Sequence, residues 1–246
     1  MNIQLFPAID DVFAVFTEDY KAVFFPLLTI DLSSIGKGAG KVHFITVYGN
    51  GDPEIVYPDN AGYNFIRFKR IGDKYIYEGD VKNMPKADKA IDWYKDAERL
   101  YQEHKNSGVA LAALKDVEGP VDFDFDDYLR GNIPAGVDRA HYVKGVLNYW
   151  VTRDQFFETG KFIQGGAYTH KESNHEREIY NNLDSYDDEY RLEYLEELLA
   201  ELRINFNDLQ FVGSLTGYNY SGIGEDEISL FVNKDGNEVL QYFCWG

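Results

Sequence analysis

An α+β fold is what the sequence predicts: an aromatic-rich, mainly antiparallel sheet with two principal amphipathic helices. Three observations carry that reading. Short runs of β-branched and aromatic residues recur between glycine turns, the pattern of strands joined by tight connections. Two longer stretches change to a period near 3.6 residues, the mark of helices with one buried face. Aromatic residues are 16% of the 246 residues, with 19 Tyr and 17 Phe, and such side chains favour half-buried pleated surfaces. Their even spread suits a sheet-rich core; a Tyr-rich contact surface is the other reading.

The elements follow in chain order. Two apolar stretches open the chain, Val12 to Phe16 and Ala22 to Ile35, the second broken by Pro26 and Asp31. Gly36, Gly38 and Gly40 then make a turn, and Val42, Phe44 and Ile45 through Tyr48 read as a strand closed by Gly49-Asn50-Gly51. Phe65 to Lys69 and Lys74 to Glu78 are two more strands around the turn Gly72-Asp73. Connections this short imply antiparallel pairing, because parallel strands need crossover helices. After Pro85, Ala90, Tyr94, Ala97, Tyr101 and His104 fall at helical spacing, so Ala87 to His104 is the first helix. Pro120, Gly131, Pro134 and Gly136 punctuate the middle of the chain. The expectation is a single domain over 1–246, with 115–140 as the place where two halves would meet.

Ser185 to Arg203 is the second helix, with Leu192, Leu195, Leu199 and Leu202 along one face. Asp184 or Ser185 can cap its start, where early acids suit the positive end of the helix dipole. Leu209 to Leu215, Glu227 to Asn233 and Glu238 to Trp245 return to strands, the last two joined as a hairpin by Lys234-Asp-Gly-Asn237. The two ends of the chain echo each other. An offset of 186 residues lays Phe25 on Phe211, Gly36 on Gly222, Gly38 on Gly224, Val42 on Ile228, Phe44 on Leu230 and Ile45 on Phe231. Either one strand–turn–strand unit is used twice in a pseudo-repeat, or two generic hairpins coincide.

Composition narrows the partners. There are 42 Asp plus Glu against 24 Lys plus Arg, a net charge of −18, on a chain that is 44% hydrophobic. That opposes nucleic-acid binding, which needs a basic footprint, and anionic membrane surfaces, which attract polybasic segments. The lone Cys244 leaves no intramolecular disulfide and no cysteine-based zinc cluster. No basic leader followed by an apolar run and no long apolar span stands out. The expectation is an acidic, soluble, cytoplasmic protein of undetermined oligomeric state.

Motifs of chemistry are weak. The glycines at 36, 38 and 40 do not make a phosphate loop, because a strand and not a helix follows them. His170 and His175, near Glu172, Glu176 and Glu178, lack the recurring spacing of zinc ligands and read as a solvated polar stretch. Asp122, Asp124, Asp126 and Asp127 lack the glycine and closing Glu of a calcium loop. His43 reads as structural, Cys244 as buried and inert, and no nucleophile–base arrangement stands out. No catalytic, cofactor or metal site is therefore assigned. What stands out is distribution: Asp184 to Glu201 holds eight acids and one base, Arg191. This is either a solvated face that keeps the protein in solution or a docking surface for a basic protein.

Pro26 to Ile35, the turn Gly36 to Gly40, and Lys41 to Val47 together resemble the first block of the YwqG-like family of unknown function. Phe65-Ile-Arg-Phe68 is similar to its later Arg-containing strand, Gly160 to Tyr168 to its block with paired glycines, and Leu209 to Trp245 to its closing strands. Ala167 and Tyr168 follow the paired glycines where the family tends to place proline. The resemblance implies an α+β protein without an established catalytic set. Members that lie beside bacterial polymorphic toxins look like immunity proteins. The expectation is accordingly a non-enzymatic immunity protein that neutralises a cognate secreted toxin with a basic surface. Its contacts would be Asp122, Asp124, Asp126, Asp127, Asp188, Glu189, Glu193, Glu196 and Glu197, with Phe125, Tyr186, Tyr190 and Tyr194 as aromatic anchors. An enzyme or small-molecule binder with an aromatic-lined pocket, and an interaction module without a toxin, are the alternatives.

Overall fold

The computed structural model describes residues 1–49, 56–107, 137–164, 171–173, 179, 189–221 and 224–245. In order, the elements are β1 (Ile3–Leu5), α1 (Ile9–Val12), α2 (Tyr20–Val23), β2 (Phe24–Asp31), β3 (Lys41–Val47), β4 (Ala61–Gly62), β5 (Phe65–Ile71) and β6 (Lys74–Ile76). Then come α3 (Ala87–Ser107), α4 (Val137–Thr159), β7 (Phe162–Gln164), β8 (Lys171–Ser173), α5 (Glu189–Glu201), β9 (Leu209–Leu215), α6 (Tyr218–Ser221), β10 (Glu227–Asn233) and β11 (Glu238–Cys244). The fold is α+β, with antiparallel ladders throughout the named strands. The chain divides into two compact units. One comprises Met1–Ala87, Asn174–Thr216 and Glu225–Gly246; the other comprises Asp88–Ser173 and Gly217–Gly224. The expected meeting of halves at 115–140 falls largely outside the described residues.

The first unit holds two sheets, β1-β2-β3 and β4-β5-β11-β10-β9 with β6 beside β5. Phe13, Phe24, Phe68 and Tyr75 are fully buried, with ring centroids 5.2 Å apart for Phe13 and Phe24 and 5.1 Å for Phe68 and Tyr75. Here the aromatic richness forms core. On the other face of the larger sheet, Leu195, Leu198 and Leu199 of α5 pack on Phe65, Phe211, Phe231, Leu240 and Tyr242. Leu198 joins the expected leucine face, Leu202 lies at its margin, and the side chain of Leu192 is outside the described residues.

The two echoing segments fold alike. The β2–β3 pairing slips between Phe44 and Ile45, and the β10–β9 pairing slips between Leu230 and Phe231, positions that the 186-residue offset superposes. Gly38 and Gly224, also superposed, both take positive φ, +118° and +131°. The first slip accommodates Pro26, which lacks an N–H and is tolerated inside a sheet at a bulge. Lys37 Nζ donates to the carbonyls of Phe211 (2.7 Å) and Val212 (3.3 Å) at the second slip.

The glycines at 36, 38 and 40 serve turn geometry: all have φ between +70° and +118°. A Cβ on Gly40 would stand 2.2 Å from Arg70 Nη2. That approach lets Arg70 donate to the carbonyls of Ala39 (2.8 Å), Lys41 (3.0 Å) and Gly236 (2.9 Å), tying the turn to the β10–β11 hairpin.

In the second unit, rings of α3 meet rings of α4. Trp93 lies 5.8 Å from Tyr142, and Tyr94 and Tyr101 lie 5.4 and 5.2 Å from Trp150. Tyr101 Oη donates to Asp154, which also accepts from Lys105 Nζ (3.1 Å) and Arg153 Nε (2.9 Å). Helix α3 stands where the periodicity placed it. Helix α4 is a long element that the periodicity did not announce. Tyr142, Val143, Val146, Leu147, Tyr149, Trp150 and Val151 are all buried, so much of its circumference is apolar and no single stripe appears.

Candidate functional site

Helix α5 is held by its leucines, which leaves the opposite side outward. Glu193, Tyr194, Glu196, Glu197 and Glu201 are exposed there, Tyr194 by 40%. The last turn of α5 carries no basic residue, although a helix C-terminus is the negative end of the dipole and favours cations. Glu201 thus sits where local stability disfavours it. Glu189 and Tyr190 begin the helix, but their side chains lie outside the described residues. Tyr186 and Asp188, with Asp122, Asp124, Phe125, Asp126 and Asp127, fall wholly outside them. Of the expected contact residues, the structure therefore gathers Glu193, Tyr194, Glu196 and Glu197 on one surface.

A second concentration of polar groups is buried in the same unit. Strand β3 is an edge strand, and an open edge would leave N–H and C=O groups unpaired. Side chains close it at every second residue. Asp73 accepts from the Lys41 N–H (2.9 Å). Tyr75 Oη accepts from the His43 N–H (2.7 Å) and donates to the His43 carbonyl (3.1 Å). The Gln241 carboxamide bonds both the N–H (2.8 Å) and the carbonyl (3.0 Å) of Ile45. Glu225 accepts from the Val47 N–H (3.4 Å) and from Thr46 Oγ1 (3.0 Å).

The ionisable groups of this seam are strongly displaced. Burial pushes the Glu225 carboxyl up to about 7, against the bonds from Thr46 and Val47 that favour its charged form. Burial pulls His43 down to about 4, so its ring is neutral. His43 Nε2 bonds the Asp73 carbonyl (2.7 Å), which can only accept, so Nε2 carries the proton and Nδ1 accepts from Thr29 Oγ1 (2.8 Å). Both ring nitrogens are thus engaged within the protein, in keeping with a structural role.

Other sequence candidates resolve as follows. His170, His175, Glu176 and Glu178 lie outside the described residues. Among the described residues no group of three or more His, Cys, Asp or Glu could hold a metal ion, and no helix is long and apolar enough to cross a membrane. Cys244 is in no disulfide and is half-buried where burial was expected, because it packs at the margin of the α5 core. A cavity of about 210 Å³ lies among Asn60, Arg67, Lys69, Glu78 and Glu238. Its lining is polar, and opposite charges pair there: Lys69 with Glu78 at 3.5 Å and Arg67 with Glu238 at 3.8 Å.

Sequence reasoning missed Glu225 and Gln241. Gln241 did leave a trace, as one polar residue inside the buried run Val239–Phe243. Glu225, between Gly224 and Asp226, looks like any turn acid. No protein-family model, curated protein or solved structure matches the chain.

Proposed function

We propose that the chain is a non-enzymatic immunity protein, which binds a cognate secreted bacterial toxin through an acidic surface centred on the outward face of α5. The observation that carries this reading is the row Glu193, Glu196, Glu197 and Glu201 on the exposed side of a helix anchored by Leu195, Leu198 and Leu199, with no basic residue in its last turn. Four carboxylates on a rigid support set up a field that steers a basic partner and speeds capture. Tyr194, amphipathic and partly exposed among them, is suited to become a buried anchor. Asp122, Asp124, Phe125, Asp126, Asp127, Tyr186, Asp188, Glu189 and Tyr190 belong to the proposed surface on sequence alone. The resemblance to the YwqG-like family points the same way, as does a charge unsuited to nucleic acid or anionic membranes.

A small-molecule reading has less support. The cavity beside Arg67, about 210 Å³, is below the ~300–1,000 Å³ of ordinary ligand pockets, and its charges already pair. The immunity reading is tested by expressing the product of the neighbouring gene with and without this chain. Growth arrest relieved by the chain, with the two proteins co-purifying, is the expected result. A neighbour harmless on its own overturns the reading.

A further inference from the structure

We propose that Glu225 is a pH-operated latch on the edge of β3, closed while its carboxyl is protonated and loosened when it ionises. Three features of the seam lead there. Glu225 is 2% exposed, so its carboxyl has no water to solvate a charge. The groups that face it are the Thr46 hydroxyl and the Val47 N–H on β3, together with its own backbone N–H; among the described residues no cation pairs with it. The titratable neighbours on its own segment are Asp226 and Glu227, and Glu227 Oε1 accepts from Ser229 Oγ (2.7 Å).

The neutral acid satisfies these partners completely. Its carbonyl oxygen accepts from the Val47 N–H while its hydroxyl donates to Thr46 Oγ1, which can accept as well as donate. Ionisation removes that donor and leaves a buried anion with hydrogen bonds but no counter-charge, the arrangement that most favours opening toward water. Burial has already moved the carboxyl to about 7, from an ordinary value of 4.5, so the change falls near neutrality. The other buried rungs do not respond there. The Gln241 carboxamide does not titrate, and burial pushes the Tyr75 hydroxyl further up from its ordinary range.

Position gives the latch its consequence. Residues Gly217–Gly224 belong to the helical unit and Glu225 is the first residue back in the sheet unit. Its side chain therefore fastens the re-entering chain to β3 just before β10 begins. Loosening frees the last rung of the β3 edge and leaves the Ile45 rung, held by Gln241, in place.

Amide hydrogen exchange on the full chain between pH 5 and 8, corrected for intrinsic rates, tests this. The protection of Val47 relative to Ile45 is expected to fall at least tenfold across that range, and Glu225→Gln to hold the ratio constant. An unchanged ratio in the wild type, or an equal fall in Glu225→Gln, overturns the latch. Carboxyl NMR titration of the wild type is a second measurement that needs no variant: a Glu carboxyl with a midpoint near 7 is expected, and its absence overturns the proposal.

Discussion

Replacing Glu225 by Gln separates two buried titrations that oppose each other in the wild type. Glu225 is raised from 4.5 to about 7 on folding, so its contribution is complete below pH 4.5 and is lost as the pH rises to about 7. His43 is lowered from 6.5 to about 4, so its contribution is complete above pH 6.5 and is lost as the pH falls toward 4. Both side chains are 2% exposed, so solvent does little to screen either effect. At 1.36 kcal/mol per unit, each displacement is worth about 3 kcal/mol. Between pH 4.5 and 6.5 the two slopes largely cancel. Glu225→Gln removes one of them, so the stability of the variant relative to the wild type should rise by about 3 kcal/mol between pH 4 and 8. Urea unfolding at constant ionic strength, followed through the near-ultraviolet signal of the aromatic sheet core, measures the difference. Taking it cancels the pH dependence that both proteins share through their other acids. A difference flat to within ~0.5 kcal/mol would refute the reasoning, since a group with equal folded and unfolded affinities for protons gives no slope.

Other substitutions probe separate parts of the molecule. Gln241→Leu strips the partners from both backbone groups of Ile45 and should cost roughly 2–5 kcal/mol by urea unfolding. Gly40→Ala places a methyl 2.2 Å from Arg70 Nη2 at a φ of +80°, and a loss of about 1–3 kcal/mol is expected in the same assay. Changing Glu193, Glu196 and Glu197 together to Lys should alter stability by no more than ~1 kcal/mol, because all three side chains are exposed and lie ahead of the last turn of α5. A large loss in that last variant would mean that the acids serve the fold.

Strands β3, β5, β6 and β9–β11 were legible because each is a short run of β-branched or aromatic residues bounded by turn residues. Helices α3 and α5 were legible because one face is apolar and the rest is not. Helix α4 was not, since Tyr142, Val146 and Trp150 are buried together with Val143, Leu147 and Val151, and burial on many sides erases the period. The split into two sheets was equally hidden. It depends on β11 pairing with β5 across most of the chain, as in Gln241 opposite Ile66. Local pattern says nothing about such partners. The echo between the two ends was legible as spacing, but the matching bulges at Phe44/Ile45 and Leu230/Phe231 required the pairing registers. Of the site, the acids of α5 could be read directly, because exposed carboxylates keep their composition signal. Glu225 could not, because the hydroxyl and the backbone N–H that bond it come from residues about 180 positions earlier.

The central claim is that the outward face of α5 meets a basic partner. Its most direct test is the association rate with the purified toxin encoded by the neighbouring gene, measured by stopped flow at low and at physiological salt. The wild type should bind fast at low salt and slow markedly as salt rises, and the variant with Glu193, Glu196 and Glu197 changed to Lys should associate at least tenfold more slowly at low salt. Equal rates for the two proteins at low salt would contradict the account.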